Sequence, residues 1–375
     1  MTLVEASDTT APPTQLHENG LKKLAREDLR RLIVALINDE LSVTGQNQLP
    51  RVLVDRVGRS DNDATTDPNW QSVDLGADGL GIDSIAMLSV AGRIAEFFGL
   101  NGTGLEDHLL LARDLGGLVD VAAASLQRDD PVIAPRSSGT SRKPRAVAHD
   151  WSVLGPEVSA PDYLPGTGKV LTWVPPHHLY GFLFSVLAPR LSGRPIRDCR
   201  GRSVAAVLRE AQMGDVIIAT APFWQAADRA AASAPGVHGI SAGSMLSPEV
   251  WRLKEAAALS SLHDIYGSAE TAGIGRRTAP GPFALMPHLK WGSAGTSVQR
   301  RNCGTRIDPP DKIERIGAGF GLRGRRDDAI CVAGVTVDPR RVASVIEALP
   351  AVQAASVRLD ETVCPPRLKA FVAIA

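Results

Sequence analysis

The chain has 375 residues, 44% of them hydrophobic and 22% charged, which is room for two or three domains in an ordinary water-soluble protein. Its 41 Lys and Arg offset 41 Asp and Glu, a balance that excludes a polyanion-sized partner such as a nucleic acid. Four scattered cysteines without a CxxC pair, a polar N-terminus and no apolar run near the ~20 residues of a membrane span exclude a disulfide framework, a secretory signal and a bilayer helix; a cytoplasmic protein is expected.

In chain order, residues 1 to 24 read as a disordered lead-in rich in Thr, Pro and Asp. Leu29, Leu32, Ile33, Leu36 and Ile37 recur at helical spacing between charged residues, predicting an amphipathic helix from Arg26 to Leu41. Residues 56 to 71 form a polar connector. Asp83 or Ser84 caps a second helix that Gly99 stops, and a third runs from Gly104 to Leu126. The segment 25 to 128 is therefore helical. From 129 to 322, short apolar runs at Val170 to Val174, Val216 to Ala219, Val237 to Ser241 and Leu262 to Tyr266 alternate with helices at Val204 to Ala211 and Pro248 to Ala258, which indicates an α/β domain with a mostly parallel sheet. The last segment, 323 to 375, carries a strand at Ala329 to Val332, a helix from Pro339 capped by Asp338, and strands at Ala354 to Leu359 and Arg367 to Ile374.

Two stretches carry chemistry on their own. Ser137, Ser138, Gly139, Thr140, Ser141, Arg142, Lys143, Pro144 and Arg145 put four hydroxyls, a glycine and three cations into nine residues, a loop suited to a polyphosphate. It lacks the GxxxxGK[ST] pattern of a Walker A loop. Tyr266, Gly267, Ser268, Ala269 and Glu270 supply an aromatic plane, a tight turn, a hydroxyl and a carboxylate within five residues. A literal GxGxxG at Gly319 to Gly324 has no strand-turn-helix around it and is not read as a dinucleotide site.

The first stretch resembles the phosphate loop [ST]SG[ST][TS]GxPKG of the adenylate-forming (ANL) superfamily, with Arg142, Arg145 and Ala146 departing from glycine, lysine and glycine. The second resembles the superfamily's YGxTE. Pro175 to Gly181 resembles its PxxHxxG, Ser241 to Ser244 its SGGAP, and Gly324 to Asp328 its GRxDD hinge. The resemblance spans roughly residues 75 to 375, with the segments in superfamily order. It implies that Tyr266 stacks on adenine beside Ala242, Gly243 and Ser244, and that Glu270 holds magnesium. Because Ala269 replaces the usual threonine, the phosphate contact passes to Ser268 or Thr271. Asp311, with Asp308 as the fallback, meets the ribose hydroxyls, Arg325 meets ribose or phosphate, and Asp327 is the hinge pivot. His178 gates the acyl pocket or orients the carboxylate.

The superfamily's lysine of the distal C-terminal subdomain has no counterpart before the chain ends. Lys143, Arg142, Arg145 or the pair Arg276 and Arg277 are then expected to supply that charge. Leu80 to Ile85 resembles the LGxDSL of acyl carrier proteins, which implies phosphopantetheine on Ser84. The runs VPPHHLYGFLF, YGSAETAGIGRR and RLKAF together resemble a short subgroup tied to phenazine and other aryl-carboxylate tailoring in secondary metabolism. The expected fold is an ANL-type α/β adenylating core with a helical, carrier-like N-terminal segment and a truncated α+β lid. The expected activity is activation of a small carboxylic acid with ATP and Mg2+, for transfer to a coenzyme A or carrier thiol or to an acyl reductase, with a homodimer as the assembly. Two other readings stay open: a degenerate fold that binds nucleotide without consuming it, and a carrier module.

Overall fold

A computed structural model describes residues 18–43, 49, 68–137, 145–230, 233–255, 258–293, 295, 297–326, 330–332, 335–360, 363 and 367–374. Within the stretch read as a lead-in, residues 18 to 24 are ordered: Asn19 caps a 3-10 turn, Gly20–Lys23, and Leu21 and Leu24 are buried. Two apolar side chains spaced to reach the core outweigh the polar composition around them.

The helical segment comprises α1 (Arg26–Val43), α2 (Ser84–Phe97), α3 (Glu106–Leu111) and α4 (Leu115–Leu126), with α1 packed on α2 and α4. Asp83 caps α2 by accepting from the Ala86 N–H at 2.8 Å. Gly99, with φ of 60°, ends it as expected of a left-handed stop. The single helix expected from Gly104 to Leu126 is two, because the Asp114 side chain accepts from Gly117 N–H at 2.8 Å and starts a new helix. Helix α5 (Trp151–Val158) follows.

The core is a seven-stranded sheet. Strands β1 (Val170–Thr172), β2 (Ile196–Asp198), β3 (Val216–Ala219), β4 (His238–Ala242) and β5 (Ser261–Ser268) are parallel in the order β2-β1-β3-β4-β5. Antiparallel β6 (Ala272–Arg277) and β7 (Ala284–Leu285) extend it. Helices α6 (Leu179–Phe182), a π turn (Leu183–Leu187) and α7 (Ala188–Ser192) link β1 to β2; α8 (Val204–Glu210), α9 (Ala221–Arg229) and α10 (Arg252–Glu255) make the later crossovers. The π turn widens the helix by one residue where it crosses beneath the sheet.

Both sheet faces are covered, as a parallel sheet requires. Val170, Val216 and Ile218 share one core with α1, α2, α4 and α6, while Leu171, Ile217 and Ala219 face a second core of Phe223, Trp224 and Trp251. The alternation follows from the two-residue period of strands. Beyond β7 come β8 (Leu289–Trp291), β9 (Val298–Arg300) and β10 (Arg306–Ile307) as a small antiparallel sheet, then the hairpin β11 (Asp311–Ile316) and β12 (Gly319–Arg325). The literal GxGxxG is thus a hairpin strand. Strands β13 (Ile330–Val332) and β14 (Val335–Val337), helix α11 (Pro339–Glu347) and the pair β15 (Val352–Asp360) and β16 (Arg367–Ile374) complete the described chain. No helix among the described residues is long and apolar enough to cross a membrane.

Candidate active site

The carboxyl ends of β1, β3, β4 and β5 gather the singled-out stretches at one edge of the sheet, where open α/β sheets bind ligands. Pro175 to Gly181 follows β1, Ala242 ends β4, and Tyr266 to Ser268 end β5. Ala242 pairs with Ile265, so the small residues Gly243 and Ser244 leave the sheet beside Tyr266. Gly243 has φ of 86° with no atom within 4 Å of where a Cβ would stand, so the space on that side of its Cα is open.

Tyr266 is buried, tilted at 50° to Phe283 and edge-on to Phe320. Phe320 on β12 stacks on Phe283 at 5.6 Å, and that contact docks the β11–β12 hairpin. Docking brings Asp311 to the tyrosine, whose hydroxyl donates to Asp311 Oδ2 at 2.8 Å. Burial and the Asp311 carboxylate push the tyrosine hydroxyl well above its ordinary pKa, so it remains a donor. Cross-strand pairing sets Asp311 opposite Arg325. Tyr266, Asp311 and Arg325 therefore converge from sequence positions far apart. Asp308, the fallback, pairs with Arg306 on the surface at 3.0 Å.

The turn after β5 is held on several sides. Ser268 and Thr271 hydroxyls lie 3.0 Å apart, but Thr271 is buried and donates to Ala272 O, which leaves half-buried Ser268 as the hydroxyl facing outward. Buried Arg300 donates to Thr271 O at 3.0 Å. Glu157 on α5, fully buried, accepts from Gly273 N–H and from Tyr163 OH, both at 2.9 Å. Burial pushes its carboxyl up against the lowering effect of those two donors. Ala272 takes φ of 60°, a strained value for alanine that this set of contacts fixes. Glu270 sits exposed at the tip.

Ser137 and Arg145 form the base of a hairpin: Ser137 N–H donates to Arg145 O at 2.8 Å, and Arg145 N–H reaches Ser137 Oγ at 3.3 Å. Ser138, Gly139, Thr140, Ser141 and Lys143 lie outside the described residues, as does Asp327. The hairpin joins the β5 turn through His149, whose buried Nε2 meets Ala269 O at 2.6 Å. Burial lowers the His149 pKa, so the neutral ring donates this bond.

His178 stands at the start of α6, on the connection after β1, with β3 and β4 between β1 and the β5 strand that carries Tyr266. The His178 side chain is exposed to solvent beside buried His177 and Leu179. Desolvation by the neighbouring protein, with His177 at 4.5 Å between ring centres, holds the imidazole down to about 4. Arg276 and Arg277 are placed differently from expectation. They lie at the far end of β6, where Arg276 donates to His263 Nδ1 at 2.8 Å and Arg277 pairs with buried Asp264 at 2.7 Å. There they border a separate cleft of about 470 Å³. Ser84 is exposed as the first residue of α2, and its helix shares the main core with the sheet.

His149, Glu157 and Arg300 were missed by motif reading, because what marks them is burial against a distant turn. Among the described residues no group of three or more His, Cys, Asp or Glu is arranged to hold a metal. Glu270 is the single carboxylate at the turn, a donor set that fits Mg2+, which takes one or two carboxylates and fills its shell with phosphate oxygens and water.

No family model matches the chain. A 4-coumarate–CoA ligase of Rhodobacter capsulatus is 36% identical over 363 residues, covering 92% of this chain and 88% of that protein. A 4-coumarate–CoA ligase of Cereibacter sphaeroides is 33% identical, covering 82% and 75%. Among solved structures, o-succinylbenzoate CoA synthetase of Bacillus subtilis matches with a TM-score of 0.53 at 18% identity, over 64% of this chain and 59% of that one. A malonyl-CoA ligase matches with 0.51 at 17%, over 64% and 63%. This chain spans about three fifths of those solved chains, and the likeness is one of fold. The chain belongs to the adenylate-forming superfamily of acid–thiol ligases, in the family of these 4-coumarate–CoA ligases.

Proposed function

We propose that the protein activates an aromatic carboxylic acid with ATP and passes the acyl group to a thiol, coenzyme A first among them. The observation that carries this is the convergence of Tyr266, Asp311 and Arg325 at the strand end that leads into Gly243, whose Cβ side is open space, tied through His149 to the base of the polyhydroxyl loop. In this reading adenine lies between the Ala242 to Ser244 backbone and the Tyr266 side, and Asp311 accepts from the ribose hydroxyls with Arg325 alongside. The triphosphate runs toward Ser137, Ser138, Gly139, Thr140, Ser141, Lys143 and Arg145, with Ser268 near the α-phosphate.

A carboxylate oxygen of the acid attacks the α-phosphorus. The bond from that phosphorus to the bridging oxygen breaks, pyrophosphate leaves with its electron pair, and an acyl-adenylate remains. A thiolate then attacks the acyl carbon and AMP departs, the thiol proton passing to solvent. Charge builds on the phosphate oxygens during the first step, so the loop donors, Lys143 and Arg145 act there. Mg2+ held at Glu270 supplies charge neutralisation at the phosphates. His178, neutral at working pH, orients the acid by hydrogen bonding without trapping it as an ion pair.

The relatives, named as 4-coumarate–CoA ligases, make 4-coumarate the first acid to test, and the sequence resemblance makes a phenazine carboxylate the second. Glu270→Gln should keep the fold, as read by circular dichroism, yet lose magnesium-dependent pyrophosphate release by about 100-fold. Turnover equal to the parent's would sink this assignment.

A further inference from the structure

The phosphate hairpin is not a strand of the large sheet. Its ladder consists of the isolated pairs Ile133 with His149 and Arg136 with Ala146, and a two-stranded ladder alone is marginal in water. Its position must come from anchors. His149 on Ala269 and the bond from Ala134 N–H to Phe97 O, 2.6 Å, hold the end remote from the loop. Next to the loop, a different device takes over. Arg136, the residue before Ser137, donates through Nε to Glu96 Oε2 at 2.6 Å and through a terminal nitrogen to Glu40 Oε2 at 3.0 Å.

Glu40 belongs to α1 and Glu96 to α2, so one planar guanidinium joins the hairpin to two helices. All three side chains are between 12% and 29% exposed, which lifts the cluster above a screened surface pair. The charges continue inward. Buried Arg93 lies 3.3 Å from Glu96 and 3.7 Å from Asp39, and Asp39 lies 3.6 Å from His177, the neighbour of His178. Removing the guanidinium takes away the cation that joins buried Glu40 and half-buried Glu96 at the loop base, and Arg93 lies near both carboxylates from the inner side.

We propose that Arg136, clamped by Glu40 and Glu96, is a positioning residue for the nucleotide phosphates, through which the helical segment sets the affinity for ATP. This rests on the reading of Ser137 to Arg145 as the phosphate loop. Arg136 itself need not touch ATP; it fixes the backbone from which the loop springs, and displacements near 1 Å at such a point are costly.

The test is titration calorimetry of the full chain with magnesium and ATP, beside steady-state kinetics with an aromatic acid. Arg136→Met should weaken ATP binding by about 10-fold or more while the KM for the acid stays within about twofold. Arg136→Lys, which keeps the charge but not the fork, should recover part of the loss. Arg26→Met, which removes the surface pair with Asp120 away from the hairpin, should leave ATP binding unchanged. Unchanged ATP affinity in a folded Arg136→Met, or ATP and acid parameters that fall in proportion to the folded fraction, overturns the proposal. Should that variant not fold, Glu96→Gln decides: weaker ATP binding supports the clamp, and parental binding refutes it. Wild-type protein that binds ATP without turnover defeats the functional reading alone, since the affinity still reports on Arg136. Protein that binds no ATP defeats both.

Discussion

Tyr266 divides its labour: the ring packs against the stacked pair Phe283 and Phe320 while the hydroxyl reaches Asp311. A buried tyrosine keeps a partner for its polar tip, and here that partner is one of the residues read as meeting the ribose. The tyrosine was legible because its neighbours Gly267 and Glu270 repeat a known pattern, and Asp311 was legible by its distance from Arg325. His288 was not legible, since nothing in its local sequence tells that it is buried. Burial, with Arg300 nearby, holds its ring down to about 4. The unfolded chain takes up a proton there below about 6.5 while the folded chain does not until about 4, so this stabilising contribution is present above 6.5 and lost as pH falls through that window. The stability gap between wild type and His288→Gln, measured by denaturant unfolding, should move against the wild type by about 2 to 3 kcal/mol between about pH 7 and about pH 4.5. A gap that does not change with pH contradicts this account of His288.

The turn between β5 and β6 is the element on which the site depends. Its backbone is gripped by His149, Arg300 and Glu157, and it closes so tightly that a Cβ on Gly267 would stand 2.4 Å from Ala272 O. A carbonyl in that position cannot swing away. Gly267→Ala should therefore cost about 2 kcal/mol or more of unfolding free energy, and a loss under about 0.5 kcal/mol would show that the turn is looser than described. Strand β5 was readable from its apolar run, whereas β6, AGIGRR, was not, because two glycines and two arginines hide a strand that pairing stabilises. Helix α5 escaped for a related reason: Pro156 sits inside it, and proline argues against a helix interior. The Gly104 to Leu126 stretch was over-read as one helix, where an aspartate able to cap makes two.

At the scale of the whole molecule, the sheet order β2-β1-β3-β4-β5 does the arranging. It lines up chain segments from residue 175 to residue 268 along one edge, and the Phe283–Phe320 contact folds the β11–β12 hairpin back to finish that edge. The α/β class, the parallel strands and the order of motifs were readable from alternating apolar runs. What could not be read was how the helical segment attaches: α1 and α2 share the main core with the sheet and reach Arg136, beside Ser137, through charged side chains, a tertiary relation that no local pattern encodes. The central claim is that this edge joins an aromatic acid to AMP. Exchange of labelled pyrophosphate into ATP measures that step without needing the thiol. With magnesium present, label should enter ATP only when an aromatic acid such as 4-coumarate is added, and an acyl-adenylate of matching mass should be recoverable. Exchange that stays at the acid-free background across a panel of aromatic acids, in protein that binds ATP, would contradict the account.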